Sequence, residues 1–147
     1  DRSVCGAASG ARQGAYVLED SGAPQLILIA TGSEVALILD AAKLLREEGI
    51  AVRCVSMPSW ELFEQQSPGY REQVLPQGVR ARVAVEAGIA QGWERYVGDA
   101  GEVVAMTRFG ASAPGDTALR EFGFSAEHVQ ARARAVLAKL GGGATRA

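Results

Sequence analysis

The hydrophobic period of the chain changes sharply within residues 26–45, LILIATGSEVALILDAAKLL. Leu26 to Ala30 is an uncharged run, short and β-branched enough for a strand buried on both faces. Beyond Thr31-Gly32-Ser33, the positions Val35, Ile38, Leu39, Ala42 and Leu45 recur at helical spacing. Thr31 and Glu34 fit a reciprocal capping box at the helix start. Gly49 stands where a left-handed cap closes a helix, and a second apolar stretch, IAVRCVSM, follows. The segment predicts a β-α-β unit. A helix N-terminus at such a turn offers a place for an anion, yet neither GxGxxG nor GxxxxGKS/T is present. The turn is read as a plain strand-to-helix connection that names no ligand.

The same reading extends in both directions. AYVLE (15–19) is a short strand, and DSGAP after it is a turn cluster. Pro58 drives Met57 out of helical geometry, so the strand IAVRCVSM ends in a loop. WELFEQQ and PGYREQVLP are two short helical pieces, with Pro68 in the first turn of the second and Pro76 as its stop. ARVAVEAG (81–88) is a fourth strand that delivers Glu86 at its carboxyl end. GWERYVG is a helical turn or two, and EVVAMTRFG (102–110) is a fifth strand. GASAPGDTA is a small-residue loop leading into LREFGF. The last helix starts at Ser125, a good N-cap, and stripes Val129, Ala133, Val136, Leu137 and Leu140 along one face.

Strands alternating with helices predict an α/β fold: a three-layer α/β/α, doubly wound sheet of about five strands. The sheet is mostly parallel. Its first strand has no helical crossover and is the expected antiparallel edge. Ligands meet such sheets at the carboxyl ends of the strands. Here that edge carries Thr31 to Ser33, Ser56 to Ser59, Glu86 to Gly88 and Phe109 to Ser112.

A chain of 147 residues can bury a real core. Residues 1–13, with no periodicity, are expected as a disordered leader or interdomain linker remnant, 14–140 as one domain, and 141–147 as a flexible tail. Because it starts at Asp1 rather than methionine, the chain is expected to be a piece of a longer protein. Fifteen basic against seventeen acidic residues give a net charge of −2 with no basic block, which withholds electrostatic support from nucleic-acid or membrane-surface binding. No apolar run approaches the roughly 20 residues of a transmembrane helix, and no secretory segment opens the chain. A cytoplasmic protein is the default. Cys5 and Cys54 make no disulfide framework, and Cys54, inside a strand, reads as a small core residue.

Catalytic machinery is sparse. His128, the one histidine, falls in the first turn of the last helix and reads as a surface residue. No CxxC, HExxH or carboxylate cluster with ligand spacing supports a metal site, and GxSxG is absent. Glu86 is placed at the functional edge, but a role in binding neighbouring loop amides is the better reading. Arg71 could reach a phosphate with its planar fork. Composition alone does not choose it over Arg53, Arg80 or Arg95.

In combination, IATGSEVALILDAAKLLREEGIAVRCVSMPS, YREQVLP, ARVAVEAGIAQGWERYVG and RFGASAPGDTALREFGFSAEHV closely resemble the C-terminal domain of transketolase. The likeness runs in order from about Gly14 to about Leu140. ATGSEV and VEAG also occur in related thiamine-diphosphate enzymes. SMPSWELFEQQ with YREQVLP, and FGASAP with FGF, point to transketolase proper. The resemblance implies transfer of a two-carbon ketol unit between ketose and aldose phosphates, with thiamine diphosphate and Mg²⁺ or Ca²⁺. It implies a homodimer whose cofactor lies between the N-terminal and middle domains. Those domains, the GDG-type diphosphate motif and the activating glutamate are absent here, so this chain is expected to bind no cofactor or metal and to be inactive alone. Arg71 occupies the position of the arginine in the family's YR-x-x-VLP segment and is thereby implied as a contact for the sugar phosphate. The ATGSEV turn is implied not to be the diphosphate site, and Glu86 to Gly92 to face subunit or interdomain contacts. The alternatives are a stand-alone ligand-binding or regulatory α/β module, or the same domain of a related thiamine-diphosphate enzyme.

Overall fold

The computed structural model describes residues 8–105 and 124–144. A 3₁₀ helix, Ala8–Gln13, leads into β1 (Tyr16–Asp20), followed by β2 (Leu26–Ala30), α1 (Glu34–Glu47) and β3 (Val52–Ser56). Two short helices, α2 (Trp60–Glu64) and α3 (Pro68–Val74), precede β4 (Arg82–Glu86). Then come α4 (Glu94–Val97), β5 (Glu102–Ala105) and, after the gap in description, α5 (Ala126–Ala144).

The strands form one sheet in the order β1-β3-β2-β4-β5. β3, β2, β4 and β5 are parallel, and β1 pairs antiparallel with β3 at one edge. The antiparallel edge strand is the one the sequence singles out by its missing crossover. All five residues of β2 are buried, as its uncharged run demands. Their side chains alternate between two cores. Leu26, Leu28 and Ala30 point with Val83 and Val85 to the face covered by α1 and α5, where Ile38, Leu45, Val129 and Ala133 pack. Ile27 and Ile29 point to the face covered by α2, α3 and α4, against Phe63, Val74, Trp93 and Tyr96. This is the three-layer α/β/α arrangement. Cys54 lies fully buried in the first core.

Helix ends follow their capping chemistry. The amides of Gly49 and Ile50 donate to the carbonyls of Arg46 (2.9 Å) and Leu45 (3.1 Å), with Gly49 at φ +83°, a paired closure that needs a residue free to turn left-handed. Ser67 caps α3 by accepting from the Tyr70 amide at 3.2 Å, with Pro68 next in line. Ser125 does the same for α5 through the His128 amide at 3.1 Å. The expected capping box at Thr31 and Glu34 does not form. The N-cap is Ser33, already in helical geometry, and its hydroxyl donates to the Glu34 carboxylate at 2.9 Å, leaving the cap without a side-chain bond to a backbone amide.

Charged pairs tie the layers. Arg53 on β3 donates to Asp20 of β1 at 2.6 Å and to the Gln73 carbonyl of α3 at 2.8 Å. Glu48, just past α1, accepts from Arg134 and Gln130 of α5. Beyond shifts of a residue or two at strand and helix ends, boundaries differ from the expected ones at both ends of the domain. The 3₁₀ helix occupies positions assigned to the leader, and α5 runs beyond residue 140 to Ala144.

Candidate functional site

β2 is flanked by β3 on one side and β4 on the other, so the winding of the sheet reverses between β2 and β4. In open α/β sheets the crevice for ligands or partners opens at that reversal, beyond the carboxyl ends of the strands. Thr31 after β2 and Glu86 at the end of β4 line a cleft of about 600 Å³ there. Met57, Pro58 and Ser59 form the wall beyond β3, and Trp60 and Trp93 supply its aromatic side.

The aromatic side is a built cluster. Trp60 meets Trp93 edge-on with ring centroids 5.1 Å apart, and Tyr96 lies 5.8 Å from Trp60 and 6.1 Å from Phe63. Such edge and tilted contacts help hold two short helices, α2 and α4, together on one face of the sheet. Glu64 at the end of α2 joins the cluster to α3: one carboxylate oxygen accepts the Tyr96 hydroxyl at 2.9 Å, the other the Arg71 guanidinium at 3.2 Å. Burial, reinforced by that carboxylate, pushes the Tyr96 phenol up to about 12. Glu86 accepts the Gly88 amide at 2.8 Å, which is the loop-amide role read from its position.

Arg71 lines a second cleft, of about 380 Å³, on the flank of the sheet. The two clefts share Glu64 and Arg95. Arg71 is 38% exposed, and its Nε is buried with no acceptor. Arg82 in the same cleft is structural: it donates to the carbonyls of Val79 (2.9 Å), Tyr96 (2.7 Å), Pro76 (2.8 Å) and Leu75 (3.3 Å). Burial lowers its pKa. The Thr31–Ser33 turn does not join these arginines, and Glu34, a buried carboxylate, stands directly behind it. An anion in that turn would face this carboxylate. His128 is exposed on α5, and Phe109 to Ser112 lie outside the described residues.

Residues 14–125 match the family described as "Transketolase-like TK C-terminal domain". The chain belongs to the transketolase C-terminal domain family. The transketolase of Halalkalibacterium halodurans is 54% identical over 129 residues, covering 87% of this chain and 19% of that protein. The solved transketolase from Leishmania mexicana superposes with a TM-score of 0.83 at 44% identity, over 89% of this chain and 19% of that one. A Pichia stipitis transketolase structure, in complex with sedoheptulose 7-phosphate, gives 0.87 at 35% identity, over 95% and 20%. The chain therefore spans about a fifth of the length of the curated relatives it matches.

Within this transketolase domain, no group of three or more His, Cys, Asp or Glu side chains among the described residues is placed to hold a divalent cation. Reasoning from sequence missed Glu64, Tyr96 and the paired tryptophans. A signal was present: Trp60 with Phe63, and Trp93 with Tyr96, each stand three residues apart, which puts both members on one helical face.

Proposed function

We propose that the chain works as the C-terminal domain of a transketolase, an enzyme that moves a two-carbon ketol unit from a ketose phosphate to an aldose phosphate. The observation that carries this reading is 54% identity to a transketolase across 87% of the chain. In this reading the N-terminal and middle domains of a homodimer hold thiamine diphosphate with Mg²⁺ or Ca²⁺. The cofactor supplies the carbanion-stabilising chemistry when bound. The present domain supplies interdomain packing and, through Arg71, a contact to the sugar phosphate. Supporting the Arg71 role are its partial exposure and its place in an open cleft. Phosphate would compete with Glu64 for the same guanidinium.

The test compares the intact protein with the isolated chain in a ketol-transfer assay, using a ketose phosphate donor, an aldose phosphate acceptor, thiamine diphosphate and Mg²⁺. The intact protein is expected to transfer and the chain alone to do neither transfer nor cofactor binding by calorimetry. An intact protein without ketol transfer overturns the assignment. Transfer or stoichiometric cofactor binding by the chain alone overturns its dependence on the other domains.

A further inference from the structure

The two oxygens of the Glu64 carboxylate are held in different ways. Oε1 accepts the Tyr96 hydroxyl at 2.9 Å, and Tyr96 is 3% exposed, packed among Trp60, Phe63 and Trp93. That end of the carboxylate is anchored to the core. Oε2 accepts from Nη1 of Arg71 at 3.2 Å, where both side chains line the 380 Å³ cleft and stay partly open to water. A firm charge-assisted bond of this kind is shorter, about 2.7–2.9 Å. Carboxylate and guanidinium are matched for a two-bond fork, yet among the described residues a single bond joins this pair. Tyr96 holds the oxygen that would complete the fork.

We propose that Glu64 is a specificity-determining residue of the sugar-phosphate site: it occupies Arg71 through one oxygen while Tyr96 withholds the other, so the clamp keeps the guanidinium in the cleft and yields to a phosphate. The proposal rests on the reading of Arg71 as a phosphate contact. Two consequences of opposite sign follow from the geometry. Without the Glu64 charge, an arriving phosphate has no rival at Nη1 and binds more tightly. Without the Tyr96 hydroxyl, the carboxylate is free to turn both oxygens to Arg71, and the forked pair is harder to displace. A residue that only braced α2 against α3 and α4 would move both variants in the same direction.

The test uses the intact protein containing this chain, as wild type, Glu64→Gln, Tyr96→Phe and Arg71→Ala, and with each of the first two substitutions placed on Arg71→Ala. Selectivity is read as kcat/KM for a phosphorylated ketose over kcat/KM for an unphosphorylated one. Inorganic phosphate is titrated by phosphorus NMR as a probe that needs no turnover. Glu64→Gln keeps an oxygen for the Tyr96 hydroxyl and is expected to raise selectivity and phosphate affinity about two- to fivefold, the range of a partly exposed ion pair. Tyr96→Phe is expected to lower both about twofold or more. On the Arg71→Ala background neither substitution changes them. Unchanged or lowered values in Glu64→Gln overturn the proposal, as do shifts of the same sign in the two variants or shifts that persist without Arg71. Arg71→Ala separates the two kinds of failure. Equal losses with both ketoses sink the phosphate reading and this proposal with it, whereas lost selectivity there, without a gain in Glu64→Gln, sinks this proposal alone. If the intact protein transfers no ketol unit, the functional reading fails and the phosphate titration decides the role of Glu64.

Discussion

Arg71 and Glu64 meet at 3.2 Å across the seam between α3 and α2, and the second oxygen of the same carboxylate accepts the Tyr96 hydroxyl at 2.9 Å. Arg71, proposed above as a contact for the sugar phosphate, thus has a partner within the domain. At 38% and 36% exposure the pair is screened by water and holds its two residues only weakly. A phosphate dianion offers a stronger, fork-matched partner.

In the intact enzyme, Arg71→Ala is expected to raise KM for phosphorylated sugars more than it changes turnover of an unphosphorylated donor. Losing a hydrogen bond to a charged group costs roughly 1.5–3 kcal/mol, on the order of a ten- to hundredfold loss in kcat/KM. The phosphate is remote from the reacting carbons, so the loss belongs mainly to uniform binding. Lysine recovers part of it, keeping charge without the fork. Equal losses for both kinds of substrate would mean that Arg71 braces α3 against α2 and does not read the phosphate.

Arg82 carries a different prediction. Its guanidinium gathers four backbone carbonyls from the ends of α3 and α4 and from the turn between α3 and β4. Arg82→Met keeps the stem and leaves those carbonyls to find other donors, at an expected cost of about 2–4 kcal/mol in denaturant unfolding. Arg82→Lys rescues little, because one ammonium cannot span the same set. A loss below about 0.5 kcal/mol, the range of an ordinary surface substitution, would show that water replaces the guanidinium freely.

Much of this architecture was legible because burial writes its period into the chain. The uncharged β2, the helical stripe of α1 and the missing crossover before β2 were enough to predict the layers and the antiparallel edge. Which β2 residues face which of the two cores was not, since a strand covered on both faces shows no alternation of polarity. The 3₁₀ helix was illegible for another reason: its anchor is a long-range contact, in which the Ser59 amide donates to the Gly14 carbonyl at 3.0 Å. The extension of α5 through Gly141 was missed because glycine disfavours helix by about 1 kcal/mol without breaking its hydrogen-bond ladder. The site was legible by position along the carboxyl edge but not by pairing. Glu64 and Tyr96 are 32 residues apart in sequence, and only the tertiary fold brings them together.

That anchor at Gly14 can be tested against a milder case. Gly14 has φ +84°, and a Cβ there would come within 2.2 Å of the Phe63 nitrogen and 2.4 Å of the Ser59 oxygen. Gly49 has nearly the same angle, φ +83°, with nothing within 4 Å. Gly49→Ala is expected to cost roughly 1–2 kcal/mol, the strain of the left-handed backbone alone. Gly14→Ala adds backbone collisions that no rotamer relieves, for about 4 kcal/mol or more. Equal losses in denaturant titration would mean that the chain entering β1 can move away from α2 without penalty.

The last prediction concerns alkaline pH. Burial and the Glu64 carboxylate hold the Tyr96 phenol in its protonated form, with its pKa pushed up to about 12 from the ordinary 10. Burial moves Tyr70 in the same direction. A folded-state pKa above the unfolded one means that the folded chain binds more protons between those values. The resulting stability is complete below about pH 10 and drains away as the pH rises through about 12. Melting temperature should therefore be insensitive to Tyr96 up to about pH 10 and fall between about 10 and 12. Tyr96→Phe loses the hydrogen bond to Glu64, worth about 1 kcal/mol with a charged acceptor that is partly open to water, and so starts lower at neutral pH. It should also descend less steeply in the alkaline window, having no phenol to ionise at that position. Parallel curves for the two proteins from pH 9 to 12 would show that Tyr96 ionises as easily in the folded chain as in the unfolded one.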